Sequence, residues 1–248
     1  MREKYESKEG FKYEDLLSQE IKQSKLSPLD QINNFARFSR RQVIANFLNR
    51  YEIYKQIIST HGSIVECGVN LGQGLFSWYH FSSIFEPYNH SRRVIGFDSF
   101  GGFTNTNEKD KGGIYTNNRD WSEFAEKQSF EDLVSIGKIH DQNRALCHIQ
   151  KLDLIKGDAT KTIPEFVDKN PHLIVALLHL DFDVYPPTKA ALTHLLPKMP
   201  KGAVIAFDEL NDPNGPGETI AYLEELDIKQ FTLRRNSFDS NLCYLVLE

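Results

Sequence analysis

Five short apolar segments that alternate with helical stretches constrain the fold of this chain more than any other feature. All five follow Gly62: SIVECGV, RRVIGFDSF, LDLIKGDA, LIVALLHLDFD and GAVIAFDEL. Unbroken apolar strands separated by helices are typical of a parallel sheet that helices cover on both faces. Near the end, KQFTLRRNSF and NLCYLVLE are joined by a polar Asp-Ser pair and predict an antiparallel hairpin at the sheet edge. The sequence therefore predicts an α/β domain over residues 62–248.

The first 61 residues have a different pattern and predict an N-terminal helical segment. Ser27 followed by Pro28 fits the start of a helix. Further on, apolar residues recur at three- and four-residue steps, and we expect them to form the buried face of one helix: Ile44, Phe47, Leu48, Tyr51, Tyr54 and Ile58. Such a helix can pack on its own sheet or on a second subunit, so the sequence leaves a homo-oligomer open.

Residues 100–135 interrupt the alternation with a polar stretch that is rich in glycine and asparagine. So long an insertion in an α/β domain is usually either functional or disordered. Its aromatic residues Tyr115 and Trp121 favour a lid that becomes ordered when a ligand binds. A floppy surface loop is the alternative interpretation.

Composition limits the compartment and the partners of the chain. The formal net charge of -5 and the pI near 5.9 argue against nucleic-acid and anionic-membrane partners. The three cysteines are scattered without CxxC spacing, so neither a disulfide framework nor a zinc site is indicated. The charged N-terminus lacks the apolar region of a secretory signal, and no apolar run is long enough to span a bilayer. We therefore expect a cytoplasmic protein.

The segment from Ile64 to Gly74, IVECGVNLGQG, joins the first strand to a helix through a glycine-rich loop. Gly68, Gly72 and Gly74 let the backbone turn tightly and let a ligand approach the helix start closely. A phosphate-binding loop would end in Gly-Lys-Ser/Thr, and a dinucleotide site would have GxGxxG, whereas the order here is GxxxGxG. S-adenosylmethionine is the third ligand that fits, since Glu66 would face its cationic ammonium and sulfonium groups. A structural turn beside a solvated acid is the alternative.

Acidic residues also end the second and third strands. Asp98 is placed to accept hydrogen bonds from ribose hydroxyls, with Ser99 beside it. Asp158 and Ala159 end the third strand, where a carboxylate can accept from the adenine amino group. A helix N-cap is the structural alternative for Asp98. Three acid-bearing strand ends in succession favour a nucleoside site at the carboxyl edge of the sheet.

The fourth and fifth strands end in a further group of acids, Asp181 and Asp183 in one and Asp208 and Glu209 in the other. These strands are expected to be neighbours, so Asp181, Asp208 and Glu209 should converge beside the glycine-rich loop. Carboxylates so close repel one another unless a cation lies among them, and oxygen ligands suit Mg²⁺. The alternative is that Asp208 and Glu209 cap the next loop while Asp181 pairs with a lysine.

Four motifs together resemble the macrocin O-methyltransferase family over roughly residues 30–220: VECGVNLGQG, VIGFDSFGGF, LHLDFDVYPPTKAAL and KGAVIAFDEL. Members of that family are class I, S-adenosylmethionine-dependent enzymes, and several methylate sugar hydroxyls of natural products with Mg²⁺. The resemblance implies a Rossmann-like class I methyltransferase fold with a mostly parallel seven-stranded sheet. It implies that the cofactor site is lined by Glu66, Gly68, Gly72, Asp98 and Asp158. It also implies that the metal is held by Asp181, Asp208 and Glu209.

Two departures from the family pattern limit what can be transferred. The chain has Asp208-Glu209 where the family usually has two aspartates, and the longer arm of Glu209 could shift the metal. Pro186 and Pro187 stand where the family often has an acid followed by serine or proline, so substrate contacts there do not carry over.

The predicted chemistry is an in-line methyl transfer in which positioning dominates. A sugar hydroxyl is a poor nucleophile, and a divalent ion would lower its pKa. Asp181 is our candidate for the general base. His179 lies on the same strand face and is a second candidate, although it fits a core residue with satisfied hydrogen bonds better. Glu218 is a further candidate for the base, because the loop before it borders the metal; a helix-start acid is the alternative.

Two other classes remain open at this point. The motif Asp181-Phe182-Asp183 also fits a metal-dependent glycosyltransferase that binds a nucleotide sugar, although it leaves Glu66 and Asp98 unexplained. A non-catalytic nucleoside-binding module would use the lid on a partner protein and would not need the acidic cluster. The sequence favours an S-adenosylmethionine- and Mg²⁺-dependent O-methyltransferase whose acceptor is a free sugar, a nucleotide sugar or a glycosylated small molecule.

Overall fold

The computed structural model describes residues 8–103, 105–113, 127, 129–239 and 241–248. Their contacts divide the chain after Asn46 into two compact units. The domain boundary that we expect at residue 61 stays a prediction. No helix in the described ranges is long and apolar enough to cross a membrane.

The first unit consists of helices. Ser27 is the N-cap of the second one, because its side-chain oxygen accepts a hydrogen bond from the backbone N–H of Asp30 at 3.2 Å. Pro28 follows at the first helical position, where its missing N–H costs nothing. The predicted helix start at these residues is confirmed. The helices are α1 (Lys8–Gln23), α2 (Pro28–Asn33), α3 (Phe35–Phe38) and α4 (Arg41–Ile57), whose later turns belong to the second unit.

The second unit contains one sheet, in which the described residues form seven strands. The strand order is β3-β2-β1-β4-β5-β7-β6, and β7 runs antiparallel to both β5 and β6. The predicted mostly parallel sheet with a C-terminal antiparallel hairpin is therefore confirmed. The strands are β1 (Ser63–Cys67), β2 (Val94–Asp98), β3 (Leu152–Lys156), β4 (Val175–Leu180), β5 (Val204–Phe207), β6 (Arg234–Arg235) and β7 (Cys243–Val246).

Helices cover both faces of this sheet, as the alternation of strands and helices predicts. Successive strand side chains point to opposite faces, so Ile64 and Leu177 belong to one apolar core and Val65 and Leu178 to the other. We call the side of Ile64 the α4 face, because α4 packs there. The further helices are α5 (Gln73–Phe85), α6 (Phe130–Asp141), α7 (Ala159–Lys169), α8 (Tyr185–Leu195) and α9 (Pro216–Glu225).

The buried side of α4 differs from the prediction. Leu48 and Ile58, expected inside, are 46% and 44% exposed. Tyr54 is buried as predicted, and Phe47 and Tyr51 pack against the same core. The structure also buries residues that the pattern left out, namely Asn49, Arg50, Ile53 and Ile57. Apolar periodicity placed the buried face partly wrongly because two of the buried residues are polar, and a pattern of hydrophobic residues does not identify a buried arginine.

Candidate active site

A cavity opens at the carboxyl ends of the strands, beside the point where the strand order reverses between β1 and β4. Ligands of open α/β sheets bind at this position. Six of the residues predicted from the sequence line it: Gly68, Asp98, Ser99, Asp158, Ala159 and Asp181. Five predicted residues are not among the described residues that line it: Glu66, Gly72, Gly74, Asp208 and Glu209.

Gly68 joins the end of β1 to the end of β4. Its φ of 96° lies in the left-handed region, and its N–H donates to the carbonyl of Phe97 at 2.9 Å. On the other side, the N–H of Asp181 donates to the carbonyl of Cys67 at 2.8 Å. A Cβ at position 68 would lie 2.0 Å from the carbonyl oxygen of Asp181. Only glycine fits here, because its missing side chain lets the end of β1 approach the end of β4 closely.

Asp98 holds the glycine-rich loop while it lines the cavity. Its Oδ2 accepts hydrogen bonds from the N–H groups of Val69 and Asn70, each at 2.8 Å. Its Oδ1 accepts from the N–H of Phe100 at 2.7 Å. An ionised carboxylate has about four lone-pair positions, so one remains on Oδ1 for a ligand. The helix-cap alternative is not what the structure shows, since this carboxylate bridges β2 to the loop after β1.

Asp158 forms the N-cap of α7. Its Oδ1 accepts from the N–H and the hydroxyl of Thr160 at 3.0 and 2.7 Å, and Asn105 Nδ2 lies 3.3 Å away. Burial opposes ionisation, but the hydrogen bonds from Thr160 and Asn105 outweigh it and lower the pKa of Asp158. The carboxylate is therefore a charged acceptor at the cavity wall. Ser99 turns its hydroxyl to the carbonyl of Gly102 at 2.8 Å.

Glu66 lies beneath the loop rather than at the cavity wall. It is 1% exposed, and its Oε2 has no hydrogen-bond partner. A Cβ at Gly74 would lie 2.2 Å from Glu66 Oε1, so this glycine makes room for the carboxylate. Gly72 has a φ of 88° at the start of α5, and a Cβ there would meet Leu133 Cδ2 at 2.7 Å. Two of the three glycines thus shape the packing around the acid and the helix start.

A cluster of possible metal ligands forms where β4 and β5 end. One ligand atom each of His179, Asp181 and Asp208 lie within 4.8 Å of one another. His179 is fully buried, 3.5 Å from Glu66, and neither of its ring nitrogens has a hydrogen-bond partner. The interpretation of His179 as a core residue is confirmed by its burial, but the expected hydrogen bonds are absent among the described residues. Glu209 is not a member of this cluster among the described residues, and its metal role stays a prediction.

The charges around this cluster repel one another. Burial, together with the negative charges of Asp208 and Asp183, raises the pKa of Asp181 well above its usual range. Burial and the charges of Asp183 and Asp208 do the same to the pKa of Glu218, which is 1% exposed in the first turn of α9. Carboxylates in such a place must either bind protons or surround a cation. The donor set, two aspartates and an imidazole, fits a divalent cation.

Within the segment predicted as a lid, Asp110 holds the chain against the starts of α8 and α9. Asp110 is 2% exposed, its Oδ1 accepts from the N–H of Tyr185 at 2.7 Å, and its Oδ2 accepts from the N–H of Asn107 at 2.8 Å. A Cβ at Gly217 would lie 2.0 Å from Asp110 Oδ1, which shows how closely α9 approaches. Our sequence analysis missed Asp110, although Asn107 and Asp110 have the spacing of a capping box.

The described part of the predicted lid does not include the two aromatic residues that favour a lid. Gly102, Phe103 and Asn105 line the cavity, but Tyr115 and Trp121 lie outside the described residues. Closure of a lid over the ligand therefore stays a prediction.

Comparison with known proteins places the chain among O-methyltransferases. A sequence model of the family Macrocin-O-methyltransferase (TylF) matches residues 46–225. The structure of CalS11, a calicheamicin methyltransferase, is 31% identical with a TM-score of 0.90, over 98% of this chain and 94% of that chain. An apo structure of CalS11, described as a TDP-rhamnose 3'-O-methyltransferase, is 29% identical with a TM-score of 0.82, over 98% and 96%. The O-methyltransferase NovP shares the fold, at 20% identity and a TM-score of 0.59 over 82% and 80%. No curated protein sequence matches the chain.

Proposed function

Because the chain belongs to the macrocin O-methyltransferase family, we propose that it transfers the methyl group of S-adenosylmethionine to a sugar hydroxyl. One observation supports this above the others: the cavity at the switch point is lined by Asp98 and Asp158, and the cluster of Asp181 and Asp208 lies at its edge. The first feature suits a methyl donor that contains a nucleoside, and the second suits the activation of an acceptor hydroxyl. A methyltransferase needs the two next to each other. Since the similar protein CalS11 is described as acting on TDP-rhamnose, a nucleotide-linked sugar is the first acceptor to test.

The cofactor would lie across the ends of β1, β2 and β3. The free lone pair of Asp98 accepts from a ribose hydroxyl, and Asp158 with Ala159 borders the adenine. Ser99 lies next to the ribose. Gly68 leaves room for the sulfonium, and Glu66 faces the methionine ammonium from below the loop, whose shape depends on Gly72 and Gly74. These assignments rest on the order of the residues along the cavity and on the hydrogen bonds that Asp98 and Asp158 already make.

Asp181 is the residue that we propose takes the proton from the acceptor hydroxyl. It lines the cavity at the end of β4, next to the loop where the methyl donor would bind. Asp181 and Asp208 would also hold Mg²⁺ or a similar divalent cation, with Glu209 as the third predicted ligand and His179 within reach. When bound there, such an ion lowers the pKa of a hydroxyl and stabilises the developing alkoxide.

The two alternative classes receive less support. The family match over residues 46–225 includes the Asp181-Phe182-Asp183 motif, so a glycosyltransferase is not favoured. A non-catalytic nucleoside-binding module does not explain why the acids Asp181 and Asp208 lie so close together at the ends of β4 and β5.

Mass spectrometry tests the proposed function. The purified chain is incubated with S-adenosylmethionine, TDP-rhamnose and Mg²⁺, and we expect S-adenosylhomocysteine and a sugar nucleotide heavier by one methylene group. A thermal-unfolding panel with S-adenosylmethionine, NAD and nucleotide sugars, each with and without Mg²⁺, accompanies it, since a ligand stabilises the state that it binds. Stabilisation by nucleotide sugar and metal, with no response to S-adenosylmethionine, would favour the glycosyltransferase.

Replacement of Asp98 by alanine is expected to weaken cofactor binding about tenfold or more, since a hydrogen bond to a charged group contributes about 1.5–3 kcal/mol. The variant also loses the acceptor for the N–H groups of Val69 and Asn70, so its unfolding temperature should fall as well. Calorimetric titration with S-adenosylhomocysteine measures the first effect, and thermal unfolding without ligand measures the second. Equal affinities of variant and wild type would reduce Asp98 to a purely structural role.

A further inference from the structure

Arg50 is a buried cation with two nitrogens that make no hydrogen bond to any described residue. It lies on the buried side of α4 and is 4% exposed, yet its Nε and Nη1 have no hydrogen-bond partner. Two other buried basic residues, Arg92 and Lys151, do make hydrogen bonds through their side chains. Arg92 pairs with Glu86 and donates to three backbone carbonyls, and Lys151 donates to two. A buried charged group with unpaired donors calls for a ligand, because burial removes the water that would otherwise satisfy it.

Measured along the direction of β1, Arg50 lies at the same level as the cavity. The later end of α4 is tied to the start of β1, since Arg92 donates to the carbonyls of both Ile57 and Gly62. Arg50 lies seven residues before Ile57, which is about 10 Å along a helix. The residues from Ile64 to Cys67 span a similar length, about 10 Å of strand. Arg50 therefore lies level with the carboxyl end of β1, where the glycine-rich loop begins.

Arg50 and Glu66 both interact electrostatically with Asp181. Their charges therefore lie near the same carboxylate at the cavity wall.

Glu66 is the acidic counterpart of Arg50. It points to the α4 face of the sheet, because it alternates with Ile64 and pairs in register with His179. Its Oε2 is buried without a hydrogen-bond partner. Unpaired donors on a base and an unpaired acceptor on an acid, on the same face of the sheet, complement a ligand that carries both charges. A free α-amino acid group is such a ligand.

We propose that Arg50 binds the α-carboxylate of the methionine part of the methyl donor, while Glu66 accepts from its α-ammonium group. This inference rests on the proposed function and extends the cofactor site onto α4. A guanidinium presents two parallel N–H groups that match a carboxylate, which an ammonium side chain does not. A phosphate of a nucleotide-sugar acceptor offers similar chemistry, but Glu66 would repel it.

The test compares three ligands that differ only at the amino-acid end. S-adenosylhomocysteine, its decarboxylated analogue and 5'-methylthioadenosine are titrated calorimetrically into wild type, Arg50→Gln and Arg50→Lys. We expect Arg50→Gln to weaken S-adenosylhomocysteine binding by about tenfold to a hundredfold, which is the range for lost hydrogen bonds to a charged group. Affinities for the two ligands without a carboxylate should stay nearly unchanged. Arg50→Lys should recover part of the loss, because it keeps the charge and loses the paired geometry.

Two controls separate binding from folding. Arg93→Gln removes an arginine that pairs with Asp153 at the opposite end of β2, and it should leave all three affinities unchanged. Thermal unfolding without ligand should show Arg50→Gln to be at least as stable as wild type, because the variant removes an unpaired buried charge. A residue with a merely structural role would instead lower the unfolding temperature when it is replaced.

Several outcomes would overturn the proposal. Equal weakening of all three ligands would mean that Arg50 only supports the shape of the site. Unchanged S-adenosylhomocysteine binding with weaker TDP-rhamnose binding would assign Arg50 to the acceptor phosphate. If wild type binds none of the three adenosine ligands, the proposed function itself fails, which is distinct from a wild type that binds all three and does not depend on Arg50.

Discussion

Asp208→Asn is expected to lower the rate of methyl transfer by about a hundredfold to a thousandfold, with cofactor affinity nearly unchanged. The substitution keeps the size of the side chain and removes one charge from the cluster with Asp181 and His179. Metal stabilisation of a developing alkoxide is worth several kcal/mol, and each 1.4 kcal/mol or so is a factor of about ten in rate. Asp208 is not among the residues that line the cofactor cavity, so calorimetric affinity for S-adenosylhomocysteine should hold. Turnover with TDP-rhamnose measures the effect.

Chelation and a matched variant complete this prediction. Excess chelator should abolish wild-type turnover, and added Mg²⁺ should restore it. Glu209→Asp creates the acid pair that is usual in the family, so this variant should stay active. Full wild-type activity in excess chelator would remove the metal from the mechanism, and Asp181 would then act as a base alone.

Gly68→Ala is expected to lower the free energy of unfolding by several kcal/mol and to weaken cofactor binding at least tenfold. A left-handed backbone costs a non-glycine residue about 1–3 kcal/mol, and an overpacked contact adds about 1–3 kcal/mol. Both apply here, because φ is 96° and the new methyl group would lie 2.0 Å from the carbonyl oxygen of Asp181. Relief of this clash would push the end of β4 away from β1, and Asp181 would move with it. Chemical denaturation and calorimetric titration measure the two effects.

Gly112→Ala provides the matched control for this substitution. Gly112 has a similar φ of 86°, but a Cβ there would meet nothing within 4 Å. It should show the backbone strain alone, and S-adenosylhomocysteine should bind it as tightly as wild type. If Gly68→Ala were no less stable than Gly112→Ala, the close contact between β1 and β4 would not matter.

The strand ends are the part of the site that sequence reasoning located best. Gly68, Asp98, Ser99, Asp158, Ala159 and Asp181 all line one cavity, as expected for residues that follow parallel strands. Less was predictable about what each side chain does there. Asp98 uses three of its acceptor positions on backbone N–H groups, and those partners come from two separate loops. Such contacts depend on how loops approach each other, which local spacing does not reveal.

The α4 helix shows why the rest could not be predicted. Its helical character follows from local pattern, but Leu48 and Ile58 were wrongly expected inside and Arg50 was not, because only apolar residues define such a pattern. A charged residue is buried only where distant parts of the chain make a place for it. Arg50 lies on the face that also carries Glu66 and His179, and these residues come from two neighbouring strands.

The sequence by itself determined the α/β architecture, the family and the row of acids along one sheet edge. Strand period, helix period and glycine turns are local, and parallel strands bring their carboxyl ends to one edge whatever their side chains do. Only the tertiary structure decided which acids share a cluster, that Gly74 makes room for Glu66, and that Arg50 is buried with unpaired donors. These features depend on distances between residues far apart in the chain, and the packing of helices on the sheet sets those distances.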